Sequence, residues 1–142
     1  MSPVCKNAGA MFVILALLSG CRGPTYEYAN VEGKVTLNGK PLAGVIVNFY
    51  PVNESSNIQA PMASGTTDET GIYRLSIDGK QAGAVVGPNV AVVRWPVRDR
   101  AKPPPVPDVP IPVKYSVVTE SPLKFEVKSG SGQTINLALE GF

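Results

Sequence analysis

GKVTLNGK at positions 33–40 has the pattern of a β-strand that ends in a tight turn. The apolar residues Val35 and Leu37 alternate with polar neighbours, a period of two that is typical of a strand with one buried face. The dipeptide Asn38-Gly39 follows at once and favours a two-residue turn in which both residues take positive φ. The sequence therefore predicts a β-hairpin here, with the next strand pairing directly with the first.

The same alternation recurs along most of the remaining chain. It predicts further buried faces at Val45, Val47 and Phe49; at Tyr73, Leu75 and Ile77; at Leu123, Phe125 and Val127; and at Ile135, Leu137 and Leu139. The mostly apolar run 89–95 is typical of a strand central in its sheet, and a weaker strand is expected around 62–67. The Ser-Gly turn at 129–132 predicts a second hairpin between the last two strands.

Glycine and proline make long helices difficult to place in this chain. The 142 residues include 14 of each, and in a helix interior proline costs about 3 kcal/mol and glycine about 1 kcal/mol. The sequence has no repeat of the period that a solenoid requires. We therefore predict an all-β fold, an antiparallel seven-stranded β-sandwich over residues 30–142.

Residues 1–20 have the organisation of an export signal. Lys6 precedes an apolar run at 8–18, which is too short to cross a bilayer because a transmembrane helix needs about 20 apolar residues. The run ends in Leu18-Ser19-Gly20-Cys21, which resembles the bacterial lipobox, a motif whose cysteine is diacylated before a peptidase cleaves on its amino side. We therefore expect cleavage between Gly20 and Cys21, and a lipid anchor on the cysteine.

The predicted anchor implies an address in the cell envelope. Two acyl chains hold a protein stably on a membrane, whereas one chain binds only reversibly. Residues 21–29 are expected to carry the lipid and form a short tether, and the lipobox resemblance implies that Arg22, in place of an aspartate, favours the outer over the inner membrane. Cys5 is discarded with the leader, so we expect no internal disulfide. The alternative is an ordinary secretory signal with a chance cysteine.

The composition argues against most classes of enzyme. The chain has no histidine, which removes the commonest general base, the Ser-His and Cys-His nucleophile pairs and nearly every catalytic zinc site. Loss of Lys6 with the leader leaves 12 basic against 11 acidic residues, a net charge of +1. A balance so close to neutral predicts no nucleic-acid partner. We therefore expect no enzymatic activity, no cofactor and no metal ion.

Two groups of residues nevertheless admit a chemical interpretation. Ser121 and Lys124 match the Ser-x-x-Lys motif of penicillin-interacting serine enzymes, but here both fall in one short strand, which favours a structural serine and an exposed lysine. Asp68, Glu69 and Asp78 offer carboxylates of the kind that calcium binds. Their spacing matches no calcium loop, so an Asx turn at Asp68 is the favoured interpretation.

Trp95 lies in a locally basic stretch together with Arg94, Arg98 and Arg100. These four residues form the candidate binding surface, which could contact acidic polysaccharide, lipid headgroups or the carboxylates of a partner, with the indole stacking on a sugar or a guanidinium. The favoured interpretation is a core tryptophan at a strand end with solvated charges beyond it. The proline-rich segment 96–112 that follows predicts an extended connection.

Several segments resemble one known family. Residues 33–51 and 65–75 look like the opening strands and the following turn of carboxypeptidase regulatory-like domains, which share the transthyretin-like, or prealbumin-like, β-sandwich. Residues 111–116 and the closing strands are similar to small lipoproteins of the planctomycete type. The resemblance implies a non-catalytic module, so we expect a lipid-anchored envelope protein that presents a β-sandwich for protein interaction or envelope assembly. The alternative is a carbohydrate-binding module for envelope or external glycans.

Overall fold

Strands make up nearly all of the secondary structure in the computed structural model of the chain, which describes residues 26–52, 60–97, 110–130 and 132–141. Within these ranges the strands are β1 (Tyr28–Ala29), β2 (Val31–Leu37), β3 (Lys40–Pro41), β4 (Ile46–Pro51), β5 (Ala63–Thr66), β6 (Ile72–Arg74), β7 (Ser76–Ile77), β8 (Gln81–Ala82), β9 (Ala84–Val85), β10 (Gly87–Arg94), β11 (Lys124–Val127), β12 (Gln133–Thr134) and β13 (Leu137–Leu139). A single-turn 3-10 helix covers Val113–Ser116.

The strands form two main sheets that enclose one core. The larger sheet has six strands in the order β11-β10-β4-β5-β7-β8. The second sheet is built on β2, which pairs with β12 and β13 on one side and with β3 and β6 on the other. A small two-stranded sheet, β1 with β9, lies beside them. The all-β sandwich expected from the sequence is confirmed at this level of detail.

The first predicted hairpin is confirmed. Leu37 of β2 is paired with Lys40 of β3 across a two-residue turn. Asn38 has a φ of 52° and Gly39 a φ of 83°, the left-handed pair that a turn of this type needs in order to match the twist of its strands. Local sequence therefore determines the end of β2.

The predicted buried faces are also confirmed, except that Phe125 and Ile135 are only partly buried. Val35, Val45, Val47, Phe49 and Tyr73 have no exposed surface, and the inward residues of β11 and β13 complete the same hydrophobic core. Within that core the ring of Phe49 lies 6.3 Å, centroid to centroid, from the ring of Tyr73. The central position predicted for the run 89–95 is confirmed, because β10 pairs with β4 on one side and with β11 on the other.

The strand predicted at 72–77 is divided between the two sheets. Its first part, β6, pairs with β2, and its second part, β7, pairs with β5. Leu75 forms the junction, because its N–H donates to the carbonyl oxygen of Val31 at 3.0 Å and its own carbonyl accepts from the N–H of Gly83 at 2.8 Å. The side-chain alternation continues through the junction, so the sequence pattern gave no sign of the change of sheet.

The second predicted hairpin is wrong. β11 pairs with β10 in the larger sheet, whereas β12 and β13 pair with β2 in the other sheet. Both of these last pairings are parallel, so the sandwich is not purely antiparallel. At this crossover the N–H of Gln133 donates to the carbonyl oxygen of Asn30 at 3.0 Å, next to β2, while the Gln133 side chain bonds both backbone groups of Lys128 at 3.0 and 2.9 Å. The backbone of residue 133 thus belongs to the second sheet, and only its side chain holds the residue after β11.

One buried tyrosine alters the parallel ladder between β2 and the C-terminal strands. The Tyr73 hydroxyl donates to the carbonyl oxygen of Ile135. The N–H of Lys34 instead donates to the side-chain oxygen of Asn136 at 3.0 Å. Position 33 must be glycine, because an added Cβ would overlap the carbonyl oxygen of Ile135.

The predicted tether is corrected at its last residues. Tyr28–Ala29 form β1 and pair with β9, Ala29 is buried, and Tyr26 is packed against the core. The cause is apolar burial, which short aromatic-rich segments gain even without a periodic pattern. The predicted leader 1–20 and Cys21 lie outside the described residues. Among the residues that are described, no helix is long and apolar enough to cross a membrane.

Candidate functional site

The structure describes two of the four residues of the candidate binding surface. Arg94 is exposed at the end of β10, where it is paired across the sheet with Ile46. Trp95 is half-buried and packed against the core, and its Nε1 is buried without a hydrogen-bond partner among the described residues. Arg98 and Arg100 lie outside the described residues, as does 98–109 of the proline-rich segment. The indole of Trp95 is thus mainly a packing group, whereas the exposed guanidinium of Arg94 is available to a partner.

A cleft that was not anticipated from the sequence lies where β2, β6, β8 and β12 approach one another. Its volume is about 450 Å³, which falls in the range of about 300–1,000 Å³ found for ligand pockets. The cleft is lined by Asn30, Val31, Glu32, Arg74, Leu75, Ala82, Gly132, Gln133 and Thr134. Most of these residues are polar, and they come from four separate parts of the chain.

An ion pair forms part of the wall of this cleft. Glu32 and Arg74 lie directly opposite each other on β2 and β6, and the guanidinium Nε approaches the carboxylate Oε2 at 3.3 Å. Both side chains are well exposed, at 54% and 82%, so the pair contributes less than about 1 kcal/mol to folding stability. Its groups remain free to exchange their mutual contact for contacts with a bound molecule.

The chemistry that the cleft offers is hydrogen bonding. The Arg74 guanidinium and the Asn30 amide supply donors, while the Glu32 carboxylate and the Thr134 hydroxyl supply acceptors. These groups suit a polar ligand such as a sugar or a peptide segment. Sequence reasoning missed the cleft because Glu32 and Arg74 read as ordinary outward positions, and only the register between β2 and β6 brings them together.

The turn at Asp68 is an Asx turn, as the favoured interpretation predicted. Its Oδ1 accepts hydrogen bonds from the Thr70 hydroxyl at 2.7 Å, from the Thr70 N–H at 2.9 Å and from the Ile72 N–H at 3.0 Å. The Thr70 hydroxyl, followed by the two N–H groups, holds the pKa of the Asp68 carboxyl below its usual value. Neither Asp68 nor Glu69 belongs to any cluster of three or more potential metal ligands within the described part of the chain.

Ser121 has a structural role, as the favoured interpretation also predicted. Its hydroxyl donates to the carbonyl oxygen of Ala91 at 2.6 Å and accepts from the N–H of Leu123 at 3.2 Å. The side chain is buried at 2% exposure, while Lys124 is exposed on β11. The Ser121 side chain therefore bonds the segment just before β11 to β10.

A buried asparagine fixes the start of β10. The side-chain nitrogen of Asn89 donates to the carbonyl oxygens of Val85 and Gly87, each at 3.0 Å. Gly87 has a φ of 121°, a conformation that glycine adopts far more readily than other residues. Asn89 thus holds the bend between β9 and β10, a role that its place in an apolar run did not indicate.

Comparison with known proteins gives one local match in sequence and one in structure. Transthyretin-like protein 5 of Caenorhabditis elegans is 38% identical over 50 residues, which cover 35% of this chain and 36% of that protein. The crystal structure of a DUF3823 family protein from Parabacteroides merdae aligns with 83% of this chain and 48% of its own, at 14% identity and a TM-score of 0.43. No protein-family model matches the chain. The chain thus spans about a third of the curated relative, and the sequence match points in the same direction as the transthyretin-like resemblance.

Proposed function

We propose that this protein is a non-enzymatic, lipid-anchored protein of the cell envelope whose transthyretin-like β-sandwich serves protein interaction or envelope assembly. The observation that carries the proposal is Leu18-Ser19-Gly20-Cys21 at the end of the apolar run 8–18. A cysteine at this boundary is where lipidation and cleavage require it. Arg22 after the cysteine supports the outer membrane as the destination. The 38% local identity to a transthyretin-like protein supports the fold assignment.

The roles of the polar side chains in the sandwich support a binding rather than a catalytic function. The Ser121 hydroxyl and the Asp68 carboxylate are both engaged in backbone hydrogen bonds. The Tyr73 hydroxyl is bonded to a backbone carbonyl inside the fold. Among the described residues, the exposed polar groups include the guanidinium groups of Arg74 beside the cleft and of Arg94, and arginine is enriched at protein interfaces.

The anchor is tested with two matched cysteine substitutions in the full-length chain. Cells that express the wild type, Cys21→Ser or Cys5→Ser are grown with labelled fatty acid, and membrane and soluble fractions are compared. We expect the wild type and Cys5→Ser to carry label and to sediment with membranes, and Cys21→Ser to lose both properties. Membrane retention of unlabelled wild-type protein would contradict the proposal.

A carbohydrate-binding role is a second candidate, and the observation that favours it is the exposed Glu32–Arg74 pair on the wall of the cleft. The test measures retention of residues 22–142 on isolated envelope polysaccharide, with Arg74→Ala and Arg94→Ala as a matched pair of exposed strand arginines. Loss of retention in Arg74→Ala alone would assign glycan binding to the cleft, and loss in Arg94→Ala alone would assign it to the candidate binding surface. No retention of the wild type on polysaccharide would leave protein interaction as the function.

A further inference from the structure

We propose that the end of the sandwich next to residue 26 faces the lipid surface, while Arg94 projects from the opposite end. The inference rests on the proposed lipid anchor, and it follows from the length of chain between that anchor and the domain. Only residues 22–25 separate Cys21 from Tyr26. Five Cα steps at full extension cover at most about 18 Å.

The chain is already fixed to the domain at the point where this short segment ends. Tyr26 is packed against the core, and the carbonyl oxygen of Glu27 accepts from the N–H of Val86 at 2.9 Å. Tyr28 is then paired with Val85. The tether can therefore become longer only if these contacts between residues 26–28 and the rest of the domain are broken.

The structure identifies the surface that this arrangement brings to the bilayer, which we call the anchored end. It includes Glu27, whose carboxylate contacts the Ser129 hydroxyl. It also includes Lys128, whose two backbone groups are bonded to the Gln133 side chain. Gln133 is paired with Val31, the first residue of β2. The anchored end is therefore the end at which β2 begins.

The opposite end, which we call the free end, is defined by the direction of the strands. β2 advances six residues from Val31 to Leu37, about 20 Å at about 3.3 Å per residue, and Lys40 lies beside Leu37. β10 runs in the same direction as β2. Its first residue, Gly87, is paired with Val127 next to the anchored end, and its last residue, Arg94, is paired with Ile46. Arg94 therefore lies at the free end.

This orientation determines which molecules each end of the sandwich can contact. Arg94 lies at the free end, so a partner of its guanidinium is a molecule outside the membrane and not the headgroups of the anchoring bilayer. The cleft lies toward the anchored end, because Asn30 and Gln133 belong to its wall. The tether length thus gives the sandwich a lipid-facing side and an outward-facing side.

The orientation is tested with two matched lysine substitutions, Lys128→Cys at the anchored end and Lys40→Cys at the free end. The sequence contains only Cys5 and Cys21, so an introduced cysteine is the only free thiol in the mature lipidated protein. Each purified lipoprotein is labelled with a fluorophore and incorporated into phosphatidylcholine vesicles that carry a nitroxide on the headgroup. We expect quenching at position 128 to be several-fold stronger than at position 40.

A second pair of exposed positions, Glu126→Cys and Ala43→Cys, repeats the comparison in case a lysine variant does not fold. Equal quenching at both ends, or stronger quenching at the free end, in protein that floats with the vesicles would overturn the orientation while leaving the anchor intact. Protein that does not float with the vesicles would overturn the anchor and the orientation together. Flotation thus separates the two failures.

Discussion

Replacement of Tyr73 by phenylalanine removes one hydroxyl and leaves the buried ring in place. The lost bond is the one from this hydroxyl to the carbonyl oxygen of Ile135, and no cavity forms because the ring is unchanged. A typical hydrogen bond contributes about 1 kcal/mol, and an acceptor left without a partner adds to the loss. We therefore expect Tyr73→Phe to lower the free energy of unfolding by about 1–2 kcal/mol at pH 7.

The same substitution changes the response of the protein to alkaline pH. Burial raises the pKa of Tyr73 far above its usual value of 10.0, so above pH 10 the unfolded chain releases this proton and the folded chain keeps it. The stabilising effect is complete below the unfolded pKa and is lost as the pH rises above it, by at most about 1.4 kcal/mol per pH unit. Tyr73→Phe lacks this dependence.

Urea unfolding of residues 22–142 at pH 7, 10 and 11 measures both effects. At pH 11 the wild type should have lost about 1.4 kcal/mol through this one group, so the difference in stability between the two proteins should shrink by that amount. Parallel pH profiles for the two proteins would refute the burial argument. Equal stability at pH 7 would refute the hydrogen bond.

Two further substitutions test the turn and the close approach that shape the sandwich. Gly33→Ala should lower the free energy of unfolding by at least about 3 kcal/mol, because the added Cβ would overlap the Ile135 carbonyl. Gly132→Ala is the control, since its Cβ would meet only ordinary contacts at 3.5 Å. Similar thermal melts for the two variants would contradict this reasoning. Asp68→Asn should remove a stabilising effect that is present above pH 3.8 and is lost as the pH falls through the lowered pKa of Asp68. Thermal melts at pH 7, 4 and 2.5 measure this stabilising effect, with Glu69→Gln as the control. If Asp68→Asn lost stability with falling pH in the same way as the wild type, the effect would not come from Asp68.

The sequence predicted which residues are buried better than which strands are paired. Burial of Phe49 or Tyr73 follows from alternation within a few neighbouring residues, and a local pattern records it directly. The partner of β11 is not a local property, because Val127 and Leu137 belong to the same core but lie in different sheets. A short Ser-Gly turn therefore fits a hairpin and a crossover equally well in the sequence.

The candidate site divides in the same way. The Asx turn was predictable because Asp68 bonds groups two and four residues ahead. The cleft was not, because Glu32, Arg74 and Gln133 meet only through the register of three strands. Trp95 is partly buried against the core, which its place at the end of an apolar run indicated better than the arginines beside it.

Intact mass spectrometry of the protein extracted from membranes measures the proposed lipid anchor itself. We expect a chain that begins at Cys21 and carries the added mass of a diacylglyceryl group on its thiol, together with any acyl group on its amine. A chain that begins at Met1, or one cleaved near residue 20 with an unmodified cysteine, would contradict it.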